Sequence, residues 1–153
     1  MTQQQYEQDL DQGLRSATPP AGFRLVRQWL LLDTSELSAV RRELLDEITA
    51  DHAVRQESLS DVPESMILVA SELATNALVH GLPPTVVGLS TDGRDYLLEV
   101  ADHDLSSEPR VASERPAGAG GFGLQIARRL AQEVGWYATG TTKHIWVVFA
   151  AQG

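Results

Sequence analysis

Glu72, Asn76 and His80 stand four residues apart in the run SELATNALVHG, which spans Ser71 to Gly81. On a helix that spacing stacks three polar side chains along one face. Leu68, Leu73, Ala77 and Leu78 are left to bury the other faces. A carboxylate one turn from a carboxamide is what metal-assisted phosphoryl transfer needs, one group to orient a nucleophile and one to hold the ion. A solvated helix face has the same spacing, so the chemistry depends on the rest of the chain.

Two later segments bear on it. Residues 118–124 read GAGGFGL, where missing side chains let a backbone come close to phosphates and a new helix offers free N–H groups and its positive dipole end. A plain glycine-rich linker has the same composition, but the immediate start of an amphipathic helix at Leu124 favours the phosphate reading. Asp102 closes the apolar run YLLEVAD, at the end of an expected strand. Asp102-His103-Asp104 is also an ordinary way to begin a loop.

The elements that must position these residues emerge from periodicity and punctuation. Met1 to Gly22 reads as a flexible tail ending in a proline pair. Phe23 to Leu32 reads as a strand. Asp33 then caps a helix running to about Ala50, with Leu37, Val40, Leu44, Leu45 and Ile48 as its buried stripe. A second helix starts around Asp61 to Glu64, carries Glu72, and stops at Gly81 to Pro84. Thr85 to Thr91 and Tyr96 to Ala101 form strands about a turn at Asp92 to Arg94. Asp102 to Gly120 is a long loop. A helix from Gly121 to about Val134 and a hairpin, Gly135 to Thr139 and Lys143 to Ala150, complete the chain. Trp136 and Trp146 belong to the core. The order predicts a two-layer α/β (α+β) sandwich, a mixed, mostly antiparallel sheet with helices on one face, in one domain over residues 23–153.

Composition narrows the function. The formal charge of −9, with 12 Lys and Arg against 21 Asp and Glu, argues against direct nucleic-acid or anionic-membrane binding. No apolar run reaches the roughly 20 residues of a membrane span. Met1 to Leu10 is polar and Gln-rich, without a signal-peptide core, so the expectation is a cytoplasmic protein. The absence of cysteine rules out disulfides and thiolate metal sites.

Three segments in this order resemble the Bergerat-type (GHKL) ATPases, the group of gyrase, Hsp90, histidine kinases and MutL. Glu72 to Gly81 looks like the N box, Val100 to Asp102 the first glycine box, and Gly118 to Leu124 the second. The short single-domain anti-sigma factor and serine-kinase type is the most similar, and the likeness covers about Phe23 to Ala150. The resemblance implies ATP and Mg2+ as cofactors. Asn76 would bind the magnesium ion through its carbonyl oxygen. Glu72 would be the catalytic base toward a substrate serine. Asp102 would accept a hydrogen bond from the adenine amino group. Gly118, Gly120, Gly121, Phe122, Gly123 and Leu124 would serve the phosphates, with Asp104 to Ala119 as a lid. Lys143 belongs to a terminal pattern shared with short relatives. His80 would touch phosphate or cap its helix, where a cation is favoured.

Two positions depart from the resemblance. Asp104 stands where glycine is common, and His144 where a threonine helps line the adenine side, with Thr141 or Thr142 as substitutes. The function implied is ATP-dependent phosphorylation of a serine on an anti-sigma-factor antagonist (STAS-type), with sequestration of a sigma factor; relatives often form homodimers. The alternative, supported by Asp104 and His144, is a non-catalytic protein-binding module of the same fold. A detached sensor-kinase domain is disfavoured, because no helical hairpin with a phosphoacceptor histidine precedes it.

Overall fold

The computed structural model describes residues 15–51, 62–106 and 122–150. Strand β1 (Arg24–Leu31) leads through a 3-10 turn (Thr34–Glu36) to helix α1 (Leu37–Asp51). Helix α2 (Val62–His80) is followed by β2 (Thr85–Thr91) and β3 (Tyr96–Asp102). Helix α3 (Phe122–Leu130), β4 (Glu133–Ala138) and β5 (Lys143–Phe149) end the described chain. The five strands form one sheet in the order β1-β2-β3-β5-β4, every neighbouring pair antiparallel.

Local chemistry explains the joints. Asp33 accepts the Ser35 N–H at 2.7 Å while Glu36 reaches back to the Asp33 N–H at 3.1 Å, a reciprocal capping box. In the β2–β3 turn the Asp92 carboxylate accepts the N–H groups of Arg94 and Asp95, and Gly93 takes the positive φ (91°) that a side chain resists. Helix α3 is shorter than its periodicity suggests. After the Ala131 N–H to Ala127 bond the chain turns into sheet pairing, Gln132 donating to the Val148 carbonyl at 2.8 Å, so Val134 belongs to β4.

The main core lies between one face of the sheet and the helices. Leu37, Val40, Leu44 and Ile48 of α1, Met66, Val69 and Leu73 of α2, and Leu124 and Ala127 of α3 meet Leu31, Val87, Leu89, Leu98 and Val147. Helix α2 packs against both α1 and α3. Leu45, expected in the α1 stripe, is instead 40% exposed, because it sits one position past Leu44 and falls outside the buried arc.

The opposite, outer face has its own small core of Leu97, Trp146 and Val148, with Ala17, Phe23 and Tyr137 against it. Arg15 to Ala17 lie alongside β4: Ala17 N–H donates to the Trp136 carbonyl at 2.9 Å and Trp136 N–H to the Arg15 carbonyl at 3.0 Å. This stretch belongs to the segment expected as a tail. It forms a strap over one end of the outer face. No helix among the described residues is long and apolar enough to cross a membrane.

Candidate functional site

Helix α2 carries Glu72 and Asn76, half-buried, and His80, exposed in its last turn. Glu72 makes no hydrogen bond or ion pair among the described residues, whereas Asn76 is engaged. Leu68, expected on a buried face, is 44% exposed. It precedes Glu72 by four residues and therefore shares the polar stripe.

The helix ends against Asp102. Gly81 N–H donates to the Ala77 carbonyl at 2.9 Å, and His103 N–H donates to the Leu82 carbonyl at 3.0 Å, which ties the end of β3 to the end of α2. Asp102 is buried, 6% exposed, with Oδ1 accepting the Asp104 N–H at 2.7 Å. Its Oδ2 lies over Gly81, where an added Cβ would stand 2.5 Å from Oδ2 and 2.6 Å from the Ala77 carbonyl. Glycine is thus required by close approach. Gly81→Ala should lower the unfolding free energy by about 1–3 kcal/mol in urea titrations, and Gly140→Ala, with nothing within 4 Å of its added Cβ, is the matched control. Equal stabilities of the two variants would refute the Asp102–Gly81 contact.

Strand register completes the neighbourhood. Asp102 pairs with Lys143 on β5, and extending the β2–β3 register by one residue brings Thr85 beside it on the helix-facing side. Thr85 is fully buried and its Oγ1 has no hydrogen-bond partner among the described residues. A buried hydroxyl left unpaired costs about 1–3 kcal/mol. Thr85 was not anticipated from the sequence; strand parity in TVVGLST would have placed it inward beside Asp102.

The remaining expected residues divide. Leu124, buried, opens α3 with Phe122 and Gly123 on the helix that packs on α2. Gly118, Gly120 and Gly121, and all of the expected lid beyond residue 106, lie outside the described residues. The Asp104 Oδ1 accepts from the Ser106 N–H and hydroxyl. His144 is not beside Asp102. It pairs with Ala101, one residue out of phase, and faces the outer side of the sheet.

There it forms part of a second constellation. His144 Nδ1 is 2.9 Å from Glu99 Oε2, and His144 Nε2 is 2.7 Å from Thr142 Oγ1. Tyr137 stacks on the imidazole with centroids 4.5 Å apart and donates its hydroxyl to the same Glu99 oxygen at 3.0 Å. Burial, together with the negative Glu99, pushes the Tyr137 phenol up to about 12, so it stays a donor at neutral pH. A cavity of about 210 Å³ opens beside the group, lined in part by Leu25, Val86, Gly88 and Ala101. Among the described residues no three His, Cys, Asp or Glu converge as a metal cage. No family model matches the chain, and a search of the curated proteins finds no match.

Proposed function

We propose that the chain is an ATP-binding protein of the Bergerat type, an ATP- and Mg2+-dependent serine kinase acting on an anti-sigma-factor antagonist (STAS-type) and sequestering a sigma factor. The observation that carries this reading is the junction of the buried Asp102 with the end of the helix that bears Glu72 and Asn76. The residues fit a nucleobase: Asp102 Oδ2 accepts no hydrogen bond among the described residues, and the unpaired Thr85 hydroxyl lies on the neighbouring strand position.

In this reading Asp102 accepts from an exocyclic amino group. Asn76, one to two turns back along α2, would hold the ion through its side-chain oxygen. Bound Mg-ATP supplies the transferable phosphoryl group and the charge neutralisation that a loose transition state needs. Glu72, with no partner among the described residues, accepts the serine proton from the same stripe. His80 stands in the last turn of the helix, placed to cap its end. The competing reading, a non-catalytic module, draws its support from Asp104 and His144. The Asp104 carboxylate accepts from Ser106, and His144 faces the outer side of the sheet.

Thermal unfolding with and without Mg-ATP tests the reading. At 100 times the dissociation constant the ligand adds about 2.7 kcal/mol. The rise should require magnesium and vanish in Asn76→Ala. No shift at millimolar Mg-ATP in the parent protein would leave the module reading in its place.

A further inference from the structure

We propose that Thr142, His144 and Glu99 form a nucleophilic triad on the outer face of the sheet, with short-chain carboxylic esters as its class of substrate. Glu99, as a carboxylate, only accepts, so His144 Nδ1 carries the proton of the 2.9 Å bond, and in the neutral imidazole Nε2 then presents a lone pair. Thr142 Oγ1, 2.7 Å from Nε2, then donates to it. Thr139 Oγ1 accepts from the Thr141 and Thr142 N–H groups, and its own proton can go to Thr142 Oγ1 at 2.6 Å or to the Thr142 carbonyl at 3.5 Å. In that tautomer the Thr142 oxygen is hydrogen-bonded to a base. Nucleophile to base and base to orienting acid are both within hydrogen-bond reach, the arrangement that activates a hydroxyl. The Tyr137 ring, stacked on the imidazole, fixes its plane.

The same residues line the cavity. Thr142, His144 and Glu99 form one side, and Leu25, Val86 and Ala101 give it apolar walls. Gly88 keeps the floor open, since even an added Cβ would meet only Leu25 Cδ1 at 3.5 Å and the Glu99 carbonyl at 4.0 Å. The volume of about 210 Å³ gives room for a short acyl chain.

The step balances without a cofactor. Thr142 Oγ1 bonds to the ester carbonyl carbon as its proton passes to His144 Nε2. The adduct collapses, the bond to the leaving oxygen breaks, and that oxygen takes the proton from Nε2. Water, deprotonated by His144, then attacks the threonyl ester, releasing the carboxylic acid and restoring the hydroxyl. Glu99 acts through His144 as a positioning residue.

The full chain is assayed with p-nitrophenyl acetate, butyrate and dodecanoate. The expected result is saturable hydrolysis of the two short esters, a burst of one nitrophenolate per chain, and an acyl mass on the peptide containing Thr142. Thr142→Val should lose at least about 100-fold in rate. Glu99→Gln should lower kcat with KM unchanged. Gly88→Val, which fills the floor beside Glu99 and leaves the Thr142 and His144 side chains in place, should abolish butyrate hydrolysis and decides the matter should Thr142→Val fail to fold. Turnover no faster than free imidazole, an acyl mass on another residue, or unchanged hydrolysis in Gly88→Val would overturn the proposal.

Discussion

Replacing Trp146 with alanine is expected to lower the unfolding free energy by about 3–5 kcal/mol. That is a large part of the roughly 5–15 kcal/mol that holds a domain of this kind together. Trp146 is fully buried, yet it faces away from the helices, among Leu97 and Val148. Two features make it a poor site for relaxation. Its indole lies directly over Gly135, where an added Cβ would be 2.7 Å from Cε2, so no side chain stands ready to fill the void. Its Nε1–H donates to the Ala17 carbonyl at 2.7 Å and holds the strap against the sheet. Trp146→Phe keeps most of the packing and loses that bond, at a cost of about 1 kcal/mol. Urea unfolding followed by circular dichroism gives the energies. Amide exchange at Ala17 and Trp136 reports whether the strap has come away. A loss below about 1 kcal/mol for the alanine variant would mean that the outer cluster contributes little to the fold.

Under the proposed function, Glu72→Gln should reduce phosphoryl transfer to a seryl substrate by about 10²–10⁴-fold, the usual contribution of a positioned base. Glutamine keeps the volume and removes the proton acceptor, and since Glu72 has no hydrogen-bond partner among the described residues, stability should hardly change. The nucleotide-induced rise in unfolding temperature should persist, because binding rests on Asp102 and Asn76. Transfer of labelled phosphate from ATP to a purified STAS-type antagonist is the direct measurement. Undiminished transfer in the variant would remove Glu72 from the chemistry. Absence of transfer in a parent protein that binds Mg-ATP would leave only the binding role.

The strands and helices were legible because burial imposes period. The β2 pattern alternates residue by residue between buried and half-buried, and the α1 stripe Leu37, Val40, Leu44 and Ile48 keeps helical spacing. Where two elements compete for the same residues, local pattern fails: the segment from Ala131 to Val134 is apolar enough to extend α3, and only pairing with β5 draws it into β4. Parity decided the site residues. Asp102 and Lys143 share a face because they pair in register, while His144, adjacent in sequence, faces the other way. Similarity of residue order placed His144 near Asp102, and one step of strand alternation separates them. Glu99 is the lone charged residue before Asp102 in YLLEVAD, and its outward parity with His144 was countable in advance. The contact of Gly81 with Asp102 was not, because the meeting of a helix end with a strand end depends on how far each element runs.

Strand β3 is a party wall. Val100 and Asp102 face the helices, while Glu99 and Ala101 face the outer cavity, within one short strand. The two faces share one backbone and one register, so they cannot be edited separately by any change in chain length. Deleting a single residue before Glu99, with pairing otherwise kept, would send Asp102 outward and Glu99 into the apolar core. Both candidate sites would be lost in one event, along with the hydrophobic match that holds the sheet to the helices. Substitutions can tune either room of this house, but an insertion or deletion in the wall between them empties both.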